Sequence, residues 1–334
     1  MSEPALELGG RGGTIGGTSW GPILGVDKWR GPHDIWMRIK GLEERTPPNK
    51  AMLRGTRLEP IVSALAADAL ALELTEPKVV TVRWPKPYGN FSASVDREAS
   101  WGGRFLGPVE LKTMSDRATW GGGPASYRLQ LQSYIWHHHL IAQQSGGSCN
   151  WGALVCLQAS SELFDMIQAP EDAERLVKHG AARLHVNIVC RDEAFMTEVV
   201  PYVQEWWRRY VDGDTPPPSD GSEGCTKALR ALYSDREGSI DATDEIEELA
   251  RKREEVRARA KEAEREQRAL DNRLRELLGP SACAEGRGVK VSVSTRQGRA
   301  RFDSSLFKSE NPDLFKRYQT VGSPYDVLSV KVRD

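Results

Sequence analysis

Apolar residues in the first two thirds of the chain follow helical spacing in two stretches. Four of them recur every three to four positions: Leu58, Val62, Leu65 and Ala69. This spacing predicts an amphipathic helix that carries Glu59 in its first turns. A second helix is predicted over residues 127–136.

Strand-like segments lie between and after these two helices. Residues 79–82 are rich in valine, and a Pro-Lys-Pro-Tyr-Gly-Asn turn separates them from residues 91–96, which predicts a β-hairpin. Residues 109–114 predict a further strand after a Gly-Gly turn. Residues 150–158 and 162–168 predict another hairpin on the same sheet.

Charged residues interrupt two of these strands in a pattern that suggests chemistry. Asp96 ends one strand, and Glu110 and Lys112 lie in the middle of the next. Because alternate residues of a strand share a face, Glu110 and Lys112 are expected to point the same way, while Val109 and Leu111 point into the core. Carboxylates in such apolar surroundings are costly unless they are paired or bind a metal. Two acids that hold a hard divalent cation, beside a lysine that orients water, suit a metal-dependent phosphodiesterase.

The order of these groups resembles that of a known nuclease superfamily. A helix with Glu59, a strand with Asp96, a strand with Glu110 and Lys112, and a helix with Gln132 follow one another. This order resembles the PD-(D/E)xK core, and within that superfamily it is most similar to the YqaJ-like viral recombinases and lambda-type exonucleases.

The N-terminal segment strengthens this resemblance. Residues 15–26, which begin Ile-Gly-Gly-Thr, and residues 29–36 look like the opening signature of that family. The usual form there is Ile-Gly-Gly-Ser-Asp, so Thr18 and Ser19 depart from it. The resemblance extends over roughly residues 8–210.

The resemblance implies a fold and a set of site residues. The fold is an α/β, restriction-endonuclease-like core, with a central mixed sheet flanked by helices. The implied cofactor is Mg²⁺, two ions per site, with Mn²⁺ able to substitute. Lys112 is the implied catalytic lysine, and Gln132 is placed to hydrogen-bond the lysine or the nucleophile. The implied metal ligands are the carboxylates of Asp96, Glu110 and Glu59 and the backbone carbonyl of Leu111.

A second set of residues is implied to bind the DNA end. Arg11 precedes Thr18 by seven residues, and together with Ser94 they match a pocket for the 5′-phosphate; a guanidinium and hydroxyls suit such a group. The alternative for Arg11 is a mobile charge in a glycine-rich tail. Met52 aligns with an apolar residue that wedges between DNA strands, although a packed core methionine is the more ordinary interpretation. Further DNA contacts are expected from a local basic patch that includes Lys50, Arg54 and Arg57.

Composition limits the possibilities without choosing among them. The chain has 334 residues and a net charge of −1, so DNA would be held by a local patch and not by a globally basic surface. The cysteines are scattered along the chain and odd in number: Cys149, Cys156, Cys190, Cys225 and Cys283. No pair has metal-ligand spacing, so no iron–sulfur cluster is expected. The absence of a signal peptide and of a long apolar run predicts a cytoplasmic protein. The family resemblance further implies a bacterial host cell and a phage or prophage origin.

The sequence divides into four parts. A nuclease domain is predicted over residues 1–215, and a Pro- and Gly-rich linker over 216–242. Residues 243–278 carry an apolar heptad seam among charged residues, which predicts a coiled-coil segment or a helical hairpin arm. Residues 286–334 are expected to form a small C-terminal αβ module.

The predicted function is that of a metal-dependent 5′-to-3′ exonuclease on double-stranded DNA ends. The resemblance further implies a role in phage homologous recombination, a single-strand annealing protein as partner, and a homotrimer. Two alternatives remain: an endonuclease or nickase on the same core, and a non-catalytic DNA-binding scaffold in which the coiled coil supplies the function. Four charged residues argue against the scaffold, since a decayed site usually loses at least one: Glu59, Asp96, Glu110 and Lys112.

Overall fold

The chain forms two compact units, Met1–Asp235 and Arg236–Asp334, in a computed structural model. The structure describes residues 5–8, 13–42, 48–77, 80–83, 89–234, 236–298, 300–320 and 328–331. None of the helices in this described part is both long enough and apolar enough to cross a membrane.

The first unit is a mixed α/β domain. Its elements, in chain order, are β1 (Ala5–Leu8), β2 (Ile15–Gly16), α1 (Trp20–Ile23), α2 (Pro32–Ile39), α3 (Lys50–Leu70), β3 (Glu73–Thr75), β4 (Val80–Arg83), β5 (Asn90–Ala93), β6 (Arg97–Trp101), β7 (Arg104–Ser115), α4 (Ala125–Gln143), β8 (Trp151–Ala159), α5 (Ser161–Met166), α6 (Pro170–Lys178), β9 (Arg183–Cys190), α7 (Val200–Trp206) and α8 (Glu223–Leu232). Helix α7 is flanked by π-helical turns at Phe195–Val199 and Trp207–Asp212.

The central sheet has five strands in the order β3-β6-β7-β8-β9. Strands β7 and β8 are parallel, and the other pairs are antiparallel. Strand β8 is buried on both faces, as expected for a strand between covering helices. Val155 and Leu157 belong to a core with α3, while Leu154 and Cys156 face the core beneath α4. The predicted α/β core with a central mixed sheet flanked by helices is therefore confirmed.

The hairpin predicted from residues 150–158 and 162–168 is wrong. The second segment is helix α5, whose N-terminus is capped by Ser160: its Oγ accepts a hydrogen bond from the amide of Leu163 (3.4 Å). Phe164 and Ile167 are fully buried at helical spacing. The antiparallel partner of β8 is instead β9, which the chain reaches after α5 and α6.

A smaller sheet and an aromatic cluster fix the N-terminal segment to the domain. Strands β1, β4, β5 and β2 pair in that order, and β2 runs parallel to β5. Beside this sheet, Trp20 is fully buried, with its ring centroid 5.6 Å from Phe91, 5.9 Å from Trp136 and 5.0 Å from Phe195. These contacts join the N-terminal segment, β5 and α4 to the π-helical turn that precedes α7.

The region predicted as a linker contains structure. Helix α8 lies within residues 216–242 and belongs to the first unit. Cys225 and Ala228 of this helix are buried, and the amide of Gly224 donates to the carbonyl of Trp29 (3.1 Å). The first unit therefore extends past residue 215, because α8 buries an apolar face that the Pro- and Gly-rich composition around it conceals.

The second unit begins with one long helix. Helix α9 (Asp244–Leu278) is a continuous helix of 35 residues, so the arm is not a helical hairpin. Thr243 caps it by accepting from the amide of Ile246 (3.3 Å), and acidic residues in the first turn favour the positive end of the helix dipole. A hairpin and two short helices follow: β10 (Cys283–Gly286), β11 (Val289–Ser292), α10 (Ser304–Glu310) and α11 (Pro312–Tyr318).

We expect Trp20→Ala to lower the free energy of unfolding of the first unit by about 3–5 kcal/mol, because it empties the centre of the aromatic cluster. Trp29→Ala is the matched control: its side chain is 68% exposed, and we expect a change within about 0.5 kcal/mol. Urea unfolding followed by far-UV circular dichroism measures both. Equal effects of the two substitutions would contradict the role given to the cluster.

Candidate active site

A cleft of about 660 Å³ opens where α3, β6, β7, α4 and the N-terminal segment meet. Because Val109 and Leu111 of β7 pack into the core with α3, the residues between and after them, Glu110 and Lys112, face α4. The structure brings the four charged residues predicted from the sequence together in the wall of this cleft: Glu59, Asp96, Glu110 and Lys112.

Glu110 is the most deeply buried charged group in this wall, with 2% of its surface exposed. Its Oε1 accepts hydrogen bonds from Lys112 Nζ (2.5 Å) and from Gln130 Nε2 (2.6 Å). Its Oε2 is buried and has no hydrogen-bond partner among the described residues. Burial raises the pKa of Glu110 to about 7.

Lys112 is held by charge and by an aromatic ring. Its ammonium lies 4.8 Å from the centre of the Tyr127 ring, which comes from α4. Burial alone lowers the pKa of Lys112, but the carboxylates of Glu110 and Asp96 outweigh it and raise that pKa above its usual value. The lysine is therefore a cation at neutral pH.

Asp96 lies in the bend between β5 and β6, at the edge of the cleft. Its Oδ2 accepts a hydrogen bond from the amide of Leu111 (2.8 Å), which fixes the carboxylate against β7. Burial raises the pKa of Asp96, and the charge of Lys112 and the hydrogen bond from Leu111 oppose that rise. Asp96 and Glu110 thus share one lysine and a poorly solvated environment.

Glu59 is anchored by an arginine that the sequence patterns did not single out. Arg97, which is buried, places its Nη1 2.8 Å from Glu59 Oε1, and its Nε donates to Ser63 Oγ (3.0 Å). Its Nη1 also donates to the carbonyl of Asp96 (2.5 Å). The signal in the sequence is the position of Arg97, which directly follows Asp96 and begins β6.

The prediction for Gln132 requires a correction. Gln130, and not Gln132, contacts the site, and it also donates to Tyr134 Oη (2.9 Å). Gln132 donates to the carbonyl of Cys190 (2.7 Å) and accepts from the amide of Asp192 (3.2 Å), so it fixes the end of β9. Two residues apart on a helix differ by about 200° in direction, so the two glutamines cannot face the same cleft.

The residues of the site fit a hard divalent cation by the chemistry of their donors. Asp96, Glu110 and Glu59 offer carboxylate oxygens, and the buried Oε2 of Glu110 is an acceptor for which the described residues supply no donor. The carbonyl of Leu111 belongs to the strand between Glu110 and Lys112. Within the described residues, no three acidic, histidine or cysteine side chains are already gathered around one point. Arg97 and Lys112 each pair with one of the carboxylate oxygens instead.

Hydroxyl groups line the other side of the same cleft. Thr18 and Ser94, both predicted for a phosphate pocket, lie there, whereas Arg11 lies outside the described residues. Thr14 and Ser92 also line it, with their hydroxyl oxygens 2.8 Å apart, because β2 runs parallel to β5. Arg38 of α2 lines the cleft as well and donates to Ser19 Oγ (2.6 Å). Of these last three cleft residues, Arg38 is a further member of the basic patch predicted from the sequence. Thr14 and Ser92 were not predicted, since pairing between distant strands brings them together.

The predicted DNA-contacting residues of α3 divide into two groups. Arg57 donates to the carbonyls of Phe164 and Ile167 (both 2.6 Å), and the guanidinium of Arg54 lies 4.7 Å from the Phe164 ring centre. Both arginines therefore face α5 and not the cleft, and their contact with DNA stays a prediction. Met52 is 58% exposed and lines a second cavity of about 390 Å³ beside Lys112 and Tyr127, so it is not a core methionine. Lys50 is exposed at the start of α3.

Comparison with known proteins places this geometry in context. The chain is 23% identical over 326 residues to the uncharacterized protein YqaJ of Bacillus subtilis (strain 168), covering 91% of this chain and 86% of the relative. Two solved structures are similar over 60% of this chain. One is an alkaline exonuclease (LHK-Exo) from Laribacter hongkongensis, 18% identical, covered to 93%, with a TM-score of 0.38. The other is a phage-related exonuclease from Haemophilus somnus 129PT, 14% identical, covered to 96%, with a TM-score of 0.41.

The match to a protein family falls on the part of the chain that builds the cleft. It covers residues 8–139, and these include Glu59, Asp96, Glu110 and Lys112. The resemblance drawn from the motifs is thereby confirmed: residues 8–139 of this chain match the YqaJ-like viral recombinase domain.

Proposed function

We propose that the chain is a metal-dependent deoxyribonuclease of the phage recombination type, and that it degrades double-stranded DNA from its ends in the 5′-to-3′ direction. One observation carries the proposal. Glu110 is buried next to Lys112 and Asp96 in the wall of an open cleft, and one of its oxygens has no donor within the part of the chain that the structure describes. An arrangement of this kind destabilises the empty site and is relieved by a cation.

The chain's own residues divide the work of phosphodiester hydrolysis. Asp96, Glu110 and Glu59, with the carbonyl of Leu111, would hold Mg²⁺, with Mn²⁺ as a substitute and two ions per site. When bound, these ions supply charge neutralisation and a more acidic water. Lys112 is a cation aimed into the cleft, so it binds and orients a phosphate oxygen or the attacking water. Gln130 fixes the orientation of Glu110 by donating to Oε1.

The hydroxyl-lined side of the cleft supports action at a DNA end. Thr14, Thr18, Ser92 and Ser94 share one cavity with the acidic residues, and Arg38 adds a guanidinium. Hydroxyls and a guanidinium suit a terminal phosphate. Because these groups share the cleft with Lys112, a phosphate bound to them would lie beside the reacting bond. We include Arg11 in this pocket on the strength of the motif spacing.

Two features of the proposed DNA path lie next to the acidic residues. Met52 is exposed beside Lys112, where an apolar side chain can contact a base or separate two strands, and Lys50 adds a positive charge nearby. The family resemblance adds two proposed partners, a single-strand annealing protein and further copies of this chain.

The choice between an exonuclease and an endonuclease on this core is tested with defined DNA ends. We expect a linear duplex with 5′-phosphates to be degraded in Mg²⁺ faster than the same duplex with 5′-hydroxyls, and a closed circle to remain intact. Gel analysis of separately labelled 5′ and 3′ ends gives the direction. Nicking of the circle would favour the endonuclease, and no cleavage of any duplex would favour a binding protein.

We expect Lys112→Ala and Asp96→Ala to abolish hydrolysis while DNA binding persists, because backbone charge contacts dominate affinity. Gln130→Ala should lower kcat by about 10- to 100-fold, the range for losing a hydrogen bond to a metal-ligating side chain. Gln132→Ala is the matched control and should leave kcat nearly unchanged in the folded fraction. Single-turnover assays at saturating protein measure these rates. A larger kcat loss from Gln132→Ala than from Gln130→Ala would reverse the assignment of the two glutamines.

The raised pKa of Glu110 predicts how stability depends on pH. Without metal, the native state keeps the proton of Glu110 up to about pH 7, whereas the unfolded state loses it near pH 4.5. Stability should therefore fall as pH rises from 4.5 to 7, by about 3 kcal/mol, and then level off. Glu110→Gln should remove most of this fall.

Divalent cations should reverse the same loss. A cation competes with the proton for Glu110, so Mg²⁺ should raise Tm more at pH 8 than at pH 6, and not at all in Glu110→Gln. Thermal unfolding in EDTA and in Mg²⁺ at both pH values provides the measurement. A Mg²⁺ effect that is the same at both pH values would speak against Glu110 as a ligand.

A further inference from the structure

Helix α9 carries an apolar stripe that faces solvent in this chain. The large residues of this stripe are between 42% and 68% exposed: Ile246, Leu249, Val256, Leu270, Leu274 and Leu277. Ala260 and Ala263 continue the stripe through the middle of the helix and are also exposed. The helix spans about 52 Å, so the stripe is a narrow seam along its whole length.

The spacing of this seam is that of a coiled coil. The positions of the seam from Ile246 to Leu277 are separated by alternating steps of three and four residues. They are therefore the a and d positions of five successive heptads. Two polar residues occupy a positions, Arg253 and Gln267. A seam with this period fits another helix of the same period, and a second copy of α9 supplies one.

A parallel pairing of two copies is unfavourable. In register, it sets Arg253 of one copy against Arg253 of the other, inside the seam. It also sets Lys252 beside Arg257 and Glu266 beside Asp271, on both sides of the pair, since g positions face the e positions of the next heptad. Like charges at such positions repel, and Arg259 beside Glu264 is the favourable contact that remains.

An antiparallel pairing removes the clash within the seam. Ile246 then packs against Leu277 of the second copy, and Leu249 against Leu274. Arg253 faces Leu270 instead of another arginine, and its guanidinium already pairs outward with Glu254 (2.5 Å). The two helices carry the same seam residues in opposite directions, so Ala260 of each copy packs against Ala263 of the other. The two-fold axis passes between these two pairs of small residues.

The flanking charges agree with this antiparallel register. In an antiparallel pair g positions face g positions and e positions face e positions, which sets Arg259 beside Glu266 and Arg257 beside Glu264 of the second copy, each twice. Within the described part of one chain, Arg259 and Glu266 form no ion pair, so both are available for this contact. The unfavourable contact is Lys252 beside Arg273, and Glu276 of the same helix pairs with Arg273 (2.6 Å) and offsets its charge.

We propose that α9 is a self-association surface, which pairs with α9 of a second copy as an antiparallel coiled coil with Leu249 facing Leu274. The inference rests on the exposed seam, on the place of Arg253 in it and on the flanking charges. It does not depend on the proposed nuclease function.

Single cysteines test the direction and the register of the pair in the full chain. The exposed Cys190 and Cys283 are first replaced by serine, and Leu249→Cys and Leu274→Cys are then made separately in that background. We expect a disulfide dimer in a glutathione buffer when the two variants are mixed, and none from either variant alone. Leu249→Cys mixed with Val256→Cys is the register control and should give none.

A matched pair of substitutions tests whether the seam holds the copies together. Ala263→Glu places a charge in the seam, and Ala258→Glu places the same charge on the opposite face of the same helix, where the side chain is also exposed. Sedimentation velocity of the full chain should show weaker association for Ala263→Glu by at least about tenfold, which corresponds to about 1.4 kcal/mol. Ala258→Glu should leave the association unchanged.

Each outcome decides the proposal. Cross-linking of the mixture together with the selective effect of Ala263→Glu supports it. Cross-links within the single variants would show a parallel pair and overturn the stated orientation. An absence of cross-links, or an assembly that Ala263→Glu does not weaken, would mean that another partner covers the seam and would overturn self-association.

Discussion

The burial of Glu110 beneath α4 is the constraint on which the site depends. Strand β7 is covered on both faces. Val109 and Leu111 pack against α3, so the opposite face of the strand carries Glu110 and Lys112 beneath α4. The ion pair with Lys112 and the amide of Gln130 satisfy one oxygen of Glu110, and the other oxygen stays without a donor among the described residues. A buried carboxylate in this state favours protonation or a cation, and that preference connects the fold to the proposed chemistry.

The aromatic cluster around Trp20 has a less direct effect on the same cleft. It holds the N-terminal segment against β5 and α4, and through the β2–β5 pairing it sets Thr14 beside Ser92. Gly17 contributes through its small size, since a Cβ there would lie 2.4 Å from the ring of Tyr134. Contacts between residues far apart in the chain therefore build the hydroxyl-lined wall, and the same contacts fix the position of that wall relative to Glu110.

The two units of the chain use charge in opposite ways. In the first unit, a few buried charges share partners, so their pKa values move and each substitution affects its neighbours. In α9, the charges are exposed and form pairs one turn apart, such as Arg251 with Glu247, which stabilise the helix by small amounts. The same exposed charges select the orientation of a second helix, because selectivity depends on which pairs repel.

The sequence by itself determined the elements with a strong local signal. The helix with Glu59, the strand with Glu110 and Lys112, and the length of α9 follow from periodicity, and the motif order led to the family that residues 8–139 match. Where local signals were ambiguous, the prediction was wrong: residues 162–168 read as a strand, but Ser160 caps a helix there. The family resemblance likewise implied Gln132, although helix geometry directs Gln130 to the site. The tertiary structure alone decided that Arg97 anchors Glu59, that Arg54 and Arg57 face α5, and that Thr14, Ser92 and Arg38 join the cleft. These contacts join residues far apart in the chain or depend on how a helix is rotated against the sheet, and neither periodicity nor composition contains that information.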